Sequence, residues 1–303
     1  MSTGPMPTPD GPPIEIGESR SADVGGLPVR RALPRHGRRT VGAWCFADHM
    51  GPSSGDGPAL NIGPHPHVGL QTVTWLFEGE VLHRDSLGSE QPIRPGQLNL
   101  MTAGHGVSHS EETTGGSGAR AHGVQLWVAQ PSTTRDGAAT FEHHTQLPVA
   151  ELRGCRITIM VGSLVGERSP ARADTDHLGA ELALQRGTTT IEIDPGHEHA
   201  LVVTTGLVRI GTSTIAPGNL AYIALGRDEL HLAVDGPSTA LLLGGSPFPE
   251  PITMWWNYVA RSTNEITDAH ADWTARSGRY GTVASSLDPI DVGPPPWARS
   301  PNP

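Results

Sequence analysis

Two short triplets in this 303-residue chain carry side chains that bind metal ions: His65-Pro66-His67 and His109-Ser110-Glu111. In an extended strand alternate residues face the same way and lie roughly 6.5 Å apart, so each triplet aims two ligand atoms at one point. Imidazole nitrogens and a carboxylate oxygen hold a first-row divalent ion at about 2.0–2.2 Å, and modest bending lets strand neighbours chelate it together. His65, His67, His109 and Glu111 are therefore the candidate ligands of one four-coordinate site. A lone His-x-His among fifteen histidines would read as readily as a solvated loop. The second triplet turns the balance toward a metal.

Three neutral imidazoles and one carboxylate leave a divalent ion with a charge near +1 and, in six-coordination, two open positions. That is close to the donor set of non-haem iron oxygenases. A closed structural zinc site is more usually thiolate-rich. The two cysteines, Cys45 and Cys155, flank neither triplet and read as buried free thiols. The set also accepts Ni, Cu, Zn, Mn and Co.

Strands must position these ligands. Leu70 to Phe77 places Leu70 and Leu76 on one side and Val73, Trp75 and Phe77 on the other, which suits a strand between two sheets. Glu78-Gly79-Glu80 reads as a hairpin turn into a short strand Val81–Asp85, and Pro95-Gly96 as a turn into alternating Leu98, Leu100 and Thr102. Gly104 and Gly106 flank His105 in a close-packed loop before the second triplet. Many short strands between Gly/Pro turns mean a sandwich or barrel.

The runs HPHVGLQTVTWLFEGE, LHRDSLGS, IRPGQLNLMTAGHGVSHSEE and AHGVQLWV resemble the pirin family, a branch of the cupin superfamily. RRALPRHGRRTVGAWCFADHMGP upstream and GGSPFPEPITMWWNYVARSTNEI and ADWTARSGRYG downstream extend the resemblance over most of residues 28–282. It implies an all-β fold of two cupin jelly-roll barrels in tandem, with a short C-terminal helix and loose termini. It implies Fe(II) at the N-terminal site and quercetin 2,3-dioxygenase chemistry on flavonol-type substrates with dioxygen, Glu111 also serving as general base. The alternative it implies is a redox-sensing regulator that binds a transcription factor or metabolic enzyme. Two departures stand out: Gln71 occupies the place of a metal-binding Glu in the broader cupin pattern, and His105 a place often held by Arg.

The expected divisions are an N-terminal arm at 1–25, a metal-binding cupin domain at 26–140, a second cupin domain at 141–283 and a Pro-rich tail at 284–303. CRITIMVGS, TTTIEIDPGHEHALVVTTGLVRIG, TIAPGNLAYIAL, ELHLAVDG and STALLLGG supply the second domain's strands. Gly96 precedes His109 by the same interval as Gly218 precedes His231, as in a duplication. The second copy has His197-Glu198-His199, but Ala233 stands where Glu111 would, so it reads as a fold-stabilising copy without a complete site. Glu265–Ser277 is a plausible helix turning back toward the first domain.

A formal charge of −10 argues against a phosphate-backbone partner. The run Arg30, Arg31, Arg35, Arg38, Arg39 reads as a solvated edge or structural ion pairs. No apolar run is long enough to span a bilayer and the N-terminus lacks a secretory pattern, so a cytoplasmic location is expected. A monomer is the expected state. His83-Arg84-Asp85 has the letters of a kinase catalytic loop without its companions and reads as a strand end. His49 and His122 read as core or turn residues, His143-His144 as exposed, and Trp75, Trp127, Trp255 and Trp256 as core.

Overall fold

The computed structural model describes residues 14–24, 26–52, 60–114 and 122–298. Its N-terminal half runs β1 (Ile14–Gly17), β2 (Arg20–Val24), β3 (Leu27–Leu33), β4 (Trp44–Met50), β5 (Asn61–His67) and β6 (Leu70–Glu78). It continues with β7 (Val81–Asp85), β8 (Glu90–Ile93), β9 (Leu98–Thr102), β10 (Val107–Thr113), β11 (His122–Ala129) and β12 (Thr140–His144). The order β12-β9-β6-β11-β4-β3-β2 forms one sheet and β5-β10-β7-β8 a second. Together they enclose the first barrel.

The second half repeats the plan. It comprises β13 (Val149–Leu152), β14 (Cys155–Val161), the short pair β15 (Ser163–Leu164) and β16 (Glu167–Arg168), β17 (His177–Leu184), β18 (Gly187–Glu192) and β19 (Glu198–Thr205). Then come β20 (Val208–Ile210), β21 (Ser213–Ile215), β22 (Leu220–Ile223), β23 (Glu229–Val234) and β24 (Ser238–Gly245). Sheets β1-β22-β19-β24-β17-β14-β13 and β18-β23-β20-β21 enclose the second barrel. A hairpin, β25 (Thr253–Trp255) and β26 (Tyr258–Ala260), leads into helix α1 (Thr263–Thr274). The architecture is the expected tandem of jelly-roll barrels.

Strand alternation explains how the barrels join. Val73, Trp75, Leu98, Leu100, Val124 and Leu126 point out of the first barrel and meet Val202, Leu220, Tyr222, Leu241 and Leu243 of the second in one buried apolar cluster. The two large sheets thus bury each other's outer faces, as the two-sided apolar pattern of β6 requires. The Trp44 indole adds a polar pin, donating to the Leu178 carbonyl at 2.8 Å.

The termini differ from expectation. Residues 14–24, read as part of an arm, form two strands: β1 pairs with β22 of the second barrel and β2 with β3. Their few apolar residues gave no period, but an open sheet edge offers backbone partners to any extended segment. Residues 1–13 of that arm lie outside the described residues. The boundary expected at 140 falls on β12, which pairs with β9, so the first sheet runs to His144.

Of the expected tail, Ser285 and Ile290 meet the first barrel, Val292 and Trp297 meet helix α1, and Asp291 meets Arg276 just past it. The Ile290 amide donates to the Pro64 carbonyl at 2.8 Å. The Trp273 indole of α1 donates to the Ile290 carbonyl at 2.9 Å. Such isolated contacts leave no sequence period. Residues 299–303 lie outside the described residues. Helix α1 starts two residues before the expected Glu265 because Ser262 caps it, accepting the Glu265 amide at 3.2 Å.

Both cysteines are buried and free, as expected. The arginine run is largely tied down: Arg31 makes a two-pronged pair with Asp48, Arg38 reaches Glu15 and covers the Tyr222 ring, and Arg39 donates to the Ile252 carbonyl. No described helix is long and apolar enough to cross a membrane.

Candidate metal centre

Strands β5 and β10 run antiparallel with His109 opposite His65 and Val107 opposite His67. All three imidazoles are buried in the first barrel, and each offers a nitrogen within 4.8 Å of the other two. The two triplets predicted to converge do so through their histidines.

The hydrogen bonds behind the rings decide which nitrogen faces the centre. His65 Nδ1 donates to the Gly63 carbonyl at 2.9 Å and His67 Nδ1 to the Asn257 carbonyl at 3.0 Å. A carbonyl only accepts, so both rings carry their hydrogen on Nδ1 and present a bare Nε2. His67 Nε2 lies 3.1 Å from His109 Nε2, while His109 Nδ1 lies 3.3 Å from His83 Nδ1. Asn257 is available because the β25–β26 hairpin docks beside the end of β5, the Val259 amide donating to the Val68 carbonyl at 3.1 Å.

Burial keeps the rings neutral. It pushes His65 down to about 4, and His67 and His109 well below the ordinary imidazole value, with neighbouring imidazoles adding to the effect. His65 and His67 both aim a bare Nε2 at one point, and a divalent cation is a partner that satisfies converging imidazole lone pairs. This donor set therefore fits a metal ion on its own chemistry.

Glu111 lines the same cavity, but its carboxylate stands outside the tight group of three nitrogens. The register between β5 and β10 slips between His109 and Glu111, which sits opposite Ile62. The extra residue on β5 falls at Gly63-Pro64, where a bulge suits proline's missing donor. Burial raises the Glu111 carboxyl above the usual range, and the Thr74 hydroxyl, at 3.3 Å, is positioned to donate to it.

The cavity above these side chains has a volume of about 400 Å³. Phe46 and Trp127 form one aromatic wall, stacked at 4.0 Å, and Trp256 and Ile290 contribute from the C-terminal segment. Besides the candidate ligands, polar groups are few: the Arg31–Asp48 pair, the exposed Asp23, Gln125 and Asn257. An apolar, aromatic hollow with few fixed polar groups is the usual form of a small-molecule site. Trp127 is a buried core residue, as expected, and also a cavity wall together with Trp256, whereas Trp75 and Trp255 are not among the lining residues.

Other candidates lie elsewhere. Gln71 is fully buried and donates to Thr102 Oγ1 at 2.9 Å, outside the cavity lining. His105 is exposed on its glycine loop. His49 and His122 pair with each other at 2.9 Å. His143 and His144, expected as exposed, are half-buried and bonded to Asn99 and Glu142.

Residues not expected at the site are Asn257, whose backbone orients His67, and His83, which stands directly behind His109. The buried-in alternation of VLHRD places His83 and Asp85 on the inner face of β7. That signal was present in the sequence.

The second barrel has no comparable site among the described residues. Gly96 and Gly218 do occupy matching turns, with φ of 80° and 87° before β9 and β22. Yet the inward side chains of β23 are Leu230, Leu232 and Val234, in an interior filled with aliphatics. His231 points outward, 66% exposed, and meets Thr190 Oγ1 at 2.9 Å. A one-residue difference in phase turns a strand's residues to the opposite face, so equal sequence spacing did not mean an equivalent position.

Residues 26–128 match the family described as Pirin, and residues 179–281 match the Pirin C-terminal cupin domain. A Pseudomonas aeruginosa protein named as a candidate quercetin 2,3-dioxygenase is 44% identical over 283 residues, covering 92% of this chain and 90% of that protein. A pirin-like protein of Caulobacter vibrioides is 36% identical, covering 85% of this chain and 92% of its own length. The crystal structure titled quercetin 2,3-dioxygenase from Acinetobacter baumannii superposes with a TM-score of 0.89 at 37% identity, covering 95% of this chain and 97% of that one.

Proposed function

The chain belongs to the pirin family, and from that footing we propose that it is a metal-dependent dioxygenase that opens flavonol-type substrates with dioxygen. The observation that carries this reading is the meeting of three neutral, buried imidazoles beneath an aromatic-walled cavity of about 400 Å³. A protein that used its metal only to signal to a partner would have no need of such a hollow.

In this reading His65, His67 and His109 hold one divalent ion, Fe(II), and Glu111 supplies the fourth, anionic donor. When bound, the ion supplies the electron exchange with dioxygen that no side chain of the cavity can provide. Phe46, Trp127 and Trp256 sandwich a planar ring system, and Gln125 and Asn257 offer amide groups to its hydroxyls. The Arg31–Asp48 pair is internally neutralised, so the wall suits an uncharged polyphenol better than a strongly anionic ligand. Where Glu111 stands off the ion instead of coordinating it, its carboxylate is placed to accept the proton released as a substrate hydroxyl enters.

Elemental analysis of protein purified without added metal, followed by oxygen-electrode measurements against a panel of flavonols, tests the proposal. One equivalent of metal with oxygen uptake that depends on the flavonol supports it. A metal-replete protein that consumes no oxygen with any flavonol, and instead captures a protein partner according to oxidation state, would replace it with the regulatory alternative.

A further inference from the structure

We propose that the cavity is divided into an aromatic and an aliphatic compartment, and that its substrate is a hydroxy ketone ring system carrying a hydrocarbon chain, alkyl or prenyl; this rests on the dioxygenase reading and narrows its substrate class. The division follows from the order of side chains along the strands. Alternate residues of a strand share a face, so the inward positions of β4 change in two-residue steps from Phe46 to Asp48 to Met50.

Neighbouring strands repeat that order in register. Phe46 stands opposite Trp127 on β11, the two rings stacked at 4.0 Å. The next row runs Arg31, Asp48, Gln125 and Thr74 across β3, β4, β11 and β6. The third runs Val29, Met50, Gly123 and Leu76 across the same four strands. The polar row between the other two is a belt whose members pair with one another. Arg31 holds Asp48 at 2.6 and 2.7 Å, and the Thr74 hydroxyl meets Gln125 Oε1 at 2.9 Å.

The facing sheet keeps the same sequence of levels. His67 meets Trp127 edge-on, with ring centroids 5.3 Å apart, and Glu111 reaches Thr74 in the belt. Ile62, opposite Glu111 on β5, packs in the buried cluster of Val29, Met50 and Leu76. Aliphatic lining thus begins beyond Glu111, on the far side of the belt from His67 and Trp127.

Val24 of β2 and Ile290 of the C-terminal segment complete that side. Both pack against the same cluster and, with Val29, Met50 and Ile62, border the open cavity. In the second barrel the inward aliphatics close on one another. Here they leave room, and a hollow lined by hydrocarbon offers water no partners and is filled best by hydrocarbon. A planar ring held between the Phe46–Trp127 stack and Trp256 can therefore send a chain past the belt and bury its methylenes beyond it. Hydroxyl groups on that chain would lose their water there without replacement.

Titration calorimetry of the Zn(II)-loaded protein with 3-hydroxychromones whose 2-substituent grows from methyl to pentyl tests this. Each added methylene is expected to tighten Kd about two- to fourfold until the compartment is full. Met50→Gln keeps the length of the side chain but sets a polar amide in the aliphatic wall, and is expected to remove most of that gain. Dissociation constants that ignore chain length overturn the proposal. So does a folded M50Q protein with the wild-type gain per methylene, which would put the chain elsewhere. The wild-type series decides the matter alone if M50Q does not fold. The titration consumes no oxygen, so the two readings can fail separately. Steep dependence on chain length without oxygen uptake keeps the compartment and defeats the dioxygenase reading, whereas oxygen uptake with flavonols and no dependence on chain length does the reverse.

Discussion

The indole nitrogen of Trp75, on the first barrel, donates to the Glu181 carboxylate of the second across 2.6 Å. Glu181 is on β17 and half-buried, and its loss of solvent raises its carboxyl above the usual range. Trp75→Phe keeps the ring volume approximately but leaves this carboxylate without its donor. Chemical denaturation is expected to show a loss of about 1–3 kcal/mol, the cost of an unsatisfied buried polar group. Adding Glu181→Leu to that variant should recover part of the loss. A single variant as stable as wild type would mean that solvent satisfies Glu181 and that the contact does little to hold the barrels together.

Removing one imidazole tests the centre directly. His67→Ala leaves two nitrogens of the three that lie within 4.8 Å. Its metal affinity should fall by more than the roughly 10–100-fold typical of losing a partner behind a ligand. His231→Ala should leave metal content unchanged, since that ring faces outward. Equal loss in both variants would show that the metal is held elsewhere.

Glu111 links metal binding to pH. Burial raises its carboxyl, whereas burial favours the neutral form of all three rings. Metal affinity should therefore rise with pH through the range in which Glu111 gives up its proton. Glu111→Gln should both weaken binding by at least about tenfold and flatten that dependence, as titration calorimetry across pH would reveal. If the variant keeps its metal but turnover drops by about 10²–10⁴-fold, Glu111 is a base and not a ligand.

Histidines away from the centre predict how stability depends on acidity. Burial pushes His49 down to about 3 and His177 and His199 down to about 4. Unfolded, each ring binds a proton near its ordinary value of about 6.5, while the folded rings refuse it until much lower pH. Between those values the unfolded chain holds more protons, so these groups lower stability as pH falls from 6.5 toward 4. Each contributes a slope of up to about 1.4 kcal/mol per pH unit. His199→Leu should make the measured slope shallower by about one proton; an unchanged slope would show that His199 is protonated in the folded state.

Most of what positions the site was legible in local pattern. The period-two run from Leu70, the turn at Glu78-Gly79-Glu80 and the strand Val81–Asp85 fall where the structure has them. So do the histidines of both triplets, because a strand's alternation fixes which side chains share a face. What escaped was set by contacts distant in the chain. Asn257 meets His67 across 190 residues, and β1 reaches the second barrel by pairing with β22. His231 was misplaced for a different reason: spacing was matched between the two halves, but its phase on β23 was not. His83 and Asp85 were visible as an inward-facing pair, yet the place of His83 behind His109 depends on β10 lying alongside.

The grip of the C-terminal segment on β5 bears on how the protein is made. The Pro64 carbonyl receives the Ile290 amide, and Gly63, whose carbonyl orients His65, lies so close to the Asp288 backbone that an added side-chain carbon would come within 2.2 Å of its oxygen. During synthesis the two histidines of β5 emerge long before either Asn257 or Ile290. A nascent chain therefore carries the donors of β5 before the Asn257 carbonyl that orients His67 has been made.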